Sequence, residues 1–238
     1  MRSVLNVLLG VICSIAVGYY TGQQVFAYDG TGERIIYVIS PFGTAEYNDK
    51  GIIELEGKAV RFTTFETRLT GFSDLEKIYS DAQSLLPLRV ERFVAFPIGA
   101  EYLVEEYAPD ENALVINKFV GKKKVKEYRY KAQGPMYNAI MLPFYLRTVP
   151  DLALGWSFRA RLPVQFTVTL SSMDEVIVPA GTFQAYHFTS VPAKFEIWIS
   201  ADQYRIPLKI KGLGGYRYTL FLKKYYPAKK NTPPAVPA

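Results

Sequence analysis

The only histidine of this 238-residue chain, His187, stands in Tyr186-His187-Phe188. Cys13 is the only thiol, so a zinc site of the usual nitrogen and sulfur ligands has too few donors. A serine triad needs an activated serine beside a base and a carboxylate, and no Gly-x-Ser-x-Gly elbow offers one. His187 therefore reads as a structural or solvated strand residue. Glu105-Glu106 could do acid–base work only from one face, and adjacent strand residues point to opposite faces. Glu54 and Glu56 share a face, but one that reads as wet. Gly212-Leu213-Gly214-Gly215 has the composition of a phosphate loop, yet no helix follows to aim free N–H groups at an anion, so it reads as a hairpin turn. No catalytic residue, metal ligand set or cofactor is predicted, and the chain is expected not to be an enzyme.

The aromatic residues offer a different chemistry. There are 18 tyrosines and 15 phenylalanines. Tyr137, Phe144, Tyr145, Trp156 and Trp198 are the candidate ligand-binding residues: they could line an apolar groove between a sheet and a helix, wet at the phenol ends. Plain core packing is the competing reading of the same five residues.

The elements that must position them are mostly strands. Glu33 to Ser40, Thr44 to Tyr47, Ile52 to Leu55, Val60 to Leu69, Glu101 to Tyr107, Leu114 to Val120 and Val125 to Lys131 are short β-rich runs with Gly, Pro, Asn or Asp between them. The second half continues with Ser157 to Arg161, Val164 to Leu170, Asp174 to Val178, Gln184 to Ser190 and Tyr218 to Tyr226. This spacing predicts an all-β, mainly antiparallel fold, an open barrel or a sandwich. One segment departs from it: Tyr137, Ile140, Met141, Phe144 and Tyr145 recur at helical spacing, predicting one short helix near residues 138–148. Asn138 is a credible N-cap, and Pro143 predicts a kink or a fresh turn starting there.

The chain also writes one stretch twice. IYSDAQSLLPLRVER from Ile78 is followed 120 residues later by WISADQYRIPLKIKG from Trp198, matching Ser80/Ser200, Gln83/Gln203, Pro87/Pro207 and Leu88/Leu208. Each copy reads as strand, polar turn, proline, strand, because proline suits a strand's first residue. Two similar β units follow, about 30–135 and 150–226.

Residues 1–27 read as a secretory signal peptide: Arg2, an apolar run from Val4 to Val17, and Val25-Phe26-Ala27 at the cleavage positions. A retained N-terminal anchor is the alternative. The apolar run is shorter than the roughly 20 residues a spanning helix needs, so no stable membrane span is expected after cleavage. The remaining 211 residues, with 27 basic against 22 acidic groups, hold no cysteine and must be stabilised by their core alone. The charge is mild and dispersed apart from Lys122-Lys123-Lys124 and the tail lysines. No basic stripe carries stacking aromatics, so nucleic acid is not an expected partner. Residues 28–226 read as a single β domain, and residues 227–238 are too poor in apolar groups to pack.

Several of these residues resemble the uncharacterised bacterial family DUF3108. They are Gly32-Glu33 with Tyr37, Tyr79-Ser80-Asp81, Leu85 to Arg92, Asn138 with Phe144-Tyr145-Leu146-Arg147, Gly155, Val178 to Phe183, Trp198-Ile199-Ser200 and Arg205 to Ile210. The resemblance covers nearly all of residues 30–226. Asn138 stands where members usually carry aspartate, and Pro143 just before the aromatic pair is a second departure. The resemblance implies an exported β-rich protein and supplies no activity. Together these readings predict a non-catalytic periplasmic or cell-envelope protein that binds a lipid or other apolar ligand between curved sheet and helix. The alternative is an envelope scaffolding or protein-interaction module with a solid core.

Overall fold

The computed structural model describes residues 30–131, 133–213 and 218–228. The expected signal peptide, Gly214, Gly215 and all of the tail beyond residue 228 lie outside them. The strands are β1 (Arg34–Ser40), β2 (Thr44–Leu55), β3 (Lys58–Leu69), β4 (Phe72–Asp81), β5 (Pro87–Phe96), β6 (Gly99–Ala108), β7 (Ala113–Val120) and β8 (Lys123–Lys131). The helix α1 (Leu142–Thr148) follows, then β9 (Ser157–Leu162), β10 (Val164–Val178), β11 (Gly181–Val191), β12 (Phe195–Ser200), β13 (Pro207–Gly212) and β14 (Tyr218–Tyr226). They form one antiparallel sheet in the order β8-β7-β6-β5-β4-β3-β2-β1-β14-β13-β12-β11-β10-β9. The sheet is open, with β8 and β9 as its edges. The mainly antiparallel β fold expected above is thus the one observed, as an unclosed barrel-like sheet.

The sheet consists of two meanders joined where β1 pairs with β14. Strands β1 to β6 and β9 to β14 correspond in order, each pair displaced by about 120 residues, and the β7–β8 hairpin stands outside this unit. The two quoted stretches are the fourth and fifth strands of each unit, and their turns are built alike. Asp81 Oδ1 accepts the Gln83 and Ser84 N–H groups at 3.1 and 2.7 Å, and Asp202 Oδ1 accepts those of Tyr204 and Arg205 at 2.9 and 3.1 Å. Such Asx turns hold a chain reversal by a local side-chain acceptor. Two residues before each proline the backbone is left-handed, at Leu85 (φ 58°) and Arg205 (φ 45°).

Two expected breaks are not breaks. Thr44 to Tyr47 and Ile52 to Leu55 belong to one strand, as do Val164 to Leu170 and Asp174 to Val178, because bulges after Asp49 and Leu170 absorb the irregular residues without ending the ladder. The helix is shorter than expected. Asn138 Oδ1 accepts the Ile140 and Met141 N–H groups at 2.8 and 3.2 Å, closing a turn, and the helix starts afresh at Leu142 with Pro143 in its first turn. Proline is tolerated there because that N–H has no intrahelical partner to lose.

Around α1 the sheet curls. Met141 and Phe144 belong to a buried cluster with Tyr37, Tyr47, Phe65, Ile78 and Leu208. Leu142 and Leu146 belong to a second with Val168, Leu170, Phe188 and Ile197. Phe144 stacks on Tyr47 with ring centroids 3.8 Å apart. Arg147 donates through both Nη atoms to Glu33, each at 2.9 Å, and to the Tyr204 carbonyl, also at 2.9 Å. Arg205 in turn donates to the carbonyls of Arg147 and Val149 at the helix end. The helix is thus tied to the start of the first unit and to the second unit's repeated turn. Phe144→Ala should lower stability by about 3–5 kcal/mol in urea denaturation, the usual cost of emptying a buried aromatic site, whereas exposed Phe42→Ala should change it by less than about 0.5 kcal/mol.

Candidate functional site

Of the five predicted residues, three meet. Tyr137 and Tyr145 pack edge to face at 5.1 Å, and Phe158 on β9 lies 5.7 Å from Tyr137 and 5.4 Å from Tyr145. Trp156 continues the row, 5.3 Å from Phe158 and 6.3 Å from Phe188. All four of Tyr137, Tyr145, Trp156 and Phe158 are half-buried. Phe144 points to the other side of the helix, against Tyr47. Trp198 is on a different row of the sheet. The five therefore do not line one groove; the seam between helix and sheet is filled by the rings themselves. Beside the helix entry, a void bordered by Leu86, Tyr107 and Met136 measures only ≈10 Å³, about the space of one water. A wider, open cleft of ≈360 Å³ lies at one end of the sheet, between Ser40-Pro41 and Lys211, Tyr218 and Thr219.

A polar group on the concave wall was not legible in the sequence. Register places Phe65, Glu76 and Arg92 side by side on β3, β4 and β5, and Ile78, Val90 and Glu105 in the next row. Arg92 donates from Nε to Asp74 at 2.9 Å, also donates to Asp74 from Nη2, and its Nε lies 3.6 Å from Glu76. Tyr107 donates its hydroxyl to Glu105 at 2.6 Å. Two carboxylates, Asp74 and Glu76, thus share one guanidinium, with Glu105 in the next row. The Glu76 side chain is 13% exposed. Burial, with Asp74 and Glu105 adding to it and Arg92 opposing, pushes its carboxyl up to about 7. Burial also raises Glu105. On the neighbouring strands Arg61 donates to Asp49 at 2.5 Å in a pair with almost no exposure.

His187 has a built environment on the opposite face. Ser172, His187, Trp198, Lys209 and Phe221 sit side by side across β10 to β14. The imidazole stacks on Trp198 at 4.1 Å, and Lys209 Nζ lies 4.3 Å from the same indole. His187 Nδ1 is 3.1 Å from both Ser172 Oγ and Asp174 Oδ2, and Nε2 is 3.1 Å from Glu196 Oε2. Trp198 Nε1 donates to Asp174 at 3.0 Å, the largest reason that carboxyl is held below its usual range. A serine, a histidine and a glutamate are in line, but both ring nitrogens face carboxylate oxygens. Nδ1 is shared at the same distance between Ser172 Oγ and Asp174 Oδ2, so Ser172 does not hold that nitrogen alone. Glu105 and Glu106 do point apart: Glu106 pairs with Arg89 at 3.0 Å. Among the described residues no group of His, Cys, Asp and Glu is arranged to hold a metal ion.

The polar wall has a consequence in pH. The folded Glu76 carboxyl titrates near 7 and its ordinary value is 4.5. Between these values the folded chain holds a proton that the unfolded chain releases, so stability falls as pH rises through that window. The loss should amount to about 3 kcal/mol between about pH 4.5 and about 7. Urea denaturation across that range should show the decline in the parent protein, and Glu76→Gln should leave only the slopes due to the other carboxyls raised by burial, Glu105, Glu106 and Asp49.

No family model matches the chain, and no curated protein matches it. Among solved structures the chain is similar to a β-barrel-like protein of the domain of unknown function DUF1849 from Brucella abortus. The TM-score is 0.51 at 10% sequence identity, over 83% of this chain and 98% of that one. At that identity the similarity is one of fold. Among the described residues no helix is long and apolar enough to cross a membrane.

Proposed function

We propose that this protein is a non-catalytic module of the cell envelope that works through its outer surface rather than by enclosing a ligand. One observation carries the reading: the space between helix and curled sheet, where a carrier would hold its cargo, is occupied by Phe144, Leu146, Met141 and the ring row from Tyr137 to Trp156. Ligand sites are clefts of roughly 300–1,000 Å³. Export and an envelope location rest on the N-terminal sequence and on the resemblance to DUF3108. The absence of catalysis rests on the residues around His187, which are engaged with one another rather than turned to a substrate.

A second reading has one observation of its own. The ≈360 Å³ cleft beside Tyr218 reaches the size of a small-ligand site, and its wall carries Lys211, which is paired with Glu196 at 3.2 Å. A lipid seated there would make the protein a binding protein after all, at its end and not between helix and sheet.

Native mass spectrometry on the protein purified from its own cells, followed by organic extraction, separates the readings. A clean apo mass is expected. A lipid retained at near-stoichiometric amount would contradict the surface reading. Its loss on Tyr218→Asp would place it in the end cleft, and its loss on Tyr145→Asp would place it at the helix seam.

A further inference from the structure

The turns of a meander alternate between the two ends of the sheet, and here the ends differ in chemistry. At one end stand, among others, the turns between β1 and β2, β3 and β4, β5 and β6, β7 and β8, and β11 and β12. Each carries a large apolar residue into solvent: Phe42, Leu69, Phe96 with Ile98, Val120 and Val191. Ile98 is 99% exposed and Phe42 77%. The first three of these turns touch. A Cβ at Gly43 would collide with Leu69, and one at Gly71 would stand 3.1 Å from Pro97, so these glycines let the turns pack into one strip. Phe72 and Phe96, at its base, are 5.6 Å apart. The turns at the opposite end carry Glu56, Asp81, Glu111 and Asp202, with Ile177 and Tyr204 as isolated exposed apolar residues.

Charge is unevenly spread as well. Between Ala113 and Lys131 there are seven lysines and arginines and one glutamate, a net +6, which equals the net charge of the entire chain. The rest of the protein is neutral on balance. This charge sits on the β7–β8 hairpin, the one pair of strands outside the repeated unit, and every β8 residue except Tyr128 is exposed. Its tip, Val120-Gly121-Lys122-Lys123, lies at the apolar end, as does Lys194 in the turn before β12, on the other half of the sheet.

We propose that this end of the sheet docks on the surface of an anionic lipid bilayer. Single apolar side chains on turn tips, with lysines among them, suit an interface some 5–10 Å deep in which apolar groups enter the headgroup boundary and ammonium groups reach lipid phosphates. Turns suit this role better than strand edges because they expose side chains without a row of unpaired backbone groups. A second copy of the chain is a poor occupant, since two +6 hairpins repel. The assignment deepens the surface reading above and rests on it.

The test is co-sedimentation of the protein, purified with its natural N-terminus, with vesicles of equal parts phosphatidylglycerol and phosphatidylcholine, and with vesicles of phosphatidylcholine alone. Binding to the first and not the second is expected. Replacing Lys122, Lys123 and Lys124 together by Glu should weaken it about a hundredfold or more, from roughly fivefold per lysine near an anionic surface. Phe42→Asp with Ile98→Asp should also weaken it at least about tenfold, whereas Tyr204→Asp at the other end should leave it unchanged. All these positions are exposed, and an unaltered denaturation midpoint shows that each variant folds. Failure of the parent protein to bind anionic vesicles overturns the proposal. So does equal loss with Tyr204→Asp, or capture of an acidic protein through the same lysines without vesicle binding. A clean apo mass without vesicle binding removes only the bilayer; a lipid at the helix seam removes the surface reading itself.

Discussion

An antiparallel sheet that curls without closing leaves its concave face to be covered by something other than its own strands. Here the cover is α1, seven residues long. A helix that short has almost no stability of its own, since nucleation alone is unfavourable and most helical stability in proteins comes from packing. It persists because both of its sides are buried, Phe144 toward the first unit and Leu146 toward the second, and because its end is clamped. Arg147 reaches Glu33 before β1, and Arg205 holds the last carbonyls. Breaking a buried pair by removing one partner typically costs about 3–5 kcal/mol, because the remaining charge is stranded. The clamp therefore makes the helix part of the core and not a flap over it.

The two six-strand units meet at β1 and β14 in the middle of the open sheet. Had the chain contained only these, β6 and β9 would stand as the two edges. The additional β7–β8 hairpin extends one edge past the helix, where no second layer covers it, and its alternating residues are accordingly lysine, arginine and tyrosine. Lysines along an edge discourage pairing with another chain. The same residues concentrate the protein's whole net charge at one place, so one insertion both protects the edge and polarises the molecule.

The strands were readable because most are buried on one face only, and period-two alternation reports that directly; Tyr218 to Tyr226 has the same bounds in sequence and structure. The helix was readable from the spacing of Tyr137, Ile140, Met141, Phe144 and Tyr145, and Pro143 marked its first turn. What escaped was everything that depends on register. Asp74 and Glu76 alternate with Leu75 and Lys77, which reads as an ordinary wet face, yet they share the inner face with Ile78, and only pairing with β5 brings them to Arg92. His187 looked solitary because Asp174 and Glu196 come from strands on either side of it. The five aromatic residues were the right type for a seam between helix and sheet, but composition cannot say whether rings line a space or fill it.

α1 is a permanent filler of the curled sheet, and native-state hydrogen exchange of its backbone tests that most directly. The Tyr145 amide, bonded to the Met141 carbonyl at 2.9 Å, reports on the helix. It should exchange only through global unfolding, with the same opening free energy as the most protected amides of β1 and β14. Exchange through a local opening several kcal/mol easier, with those strands still protected, would show the helix to be a lid over a space that a ligand can enter, and would contradict the account.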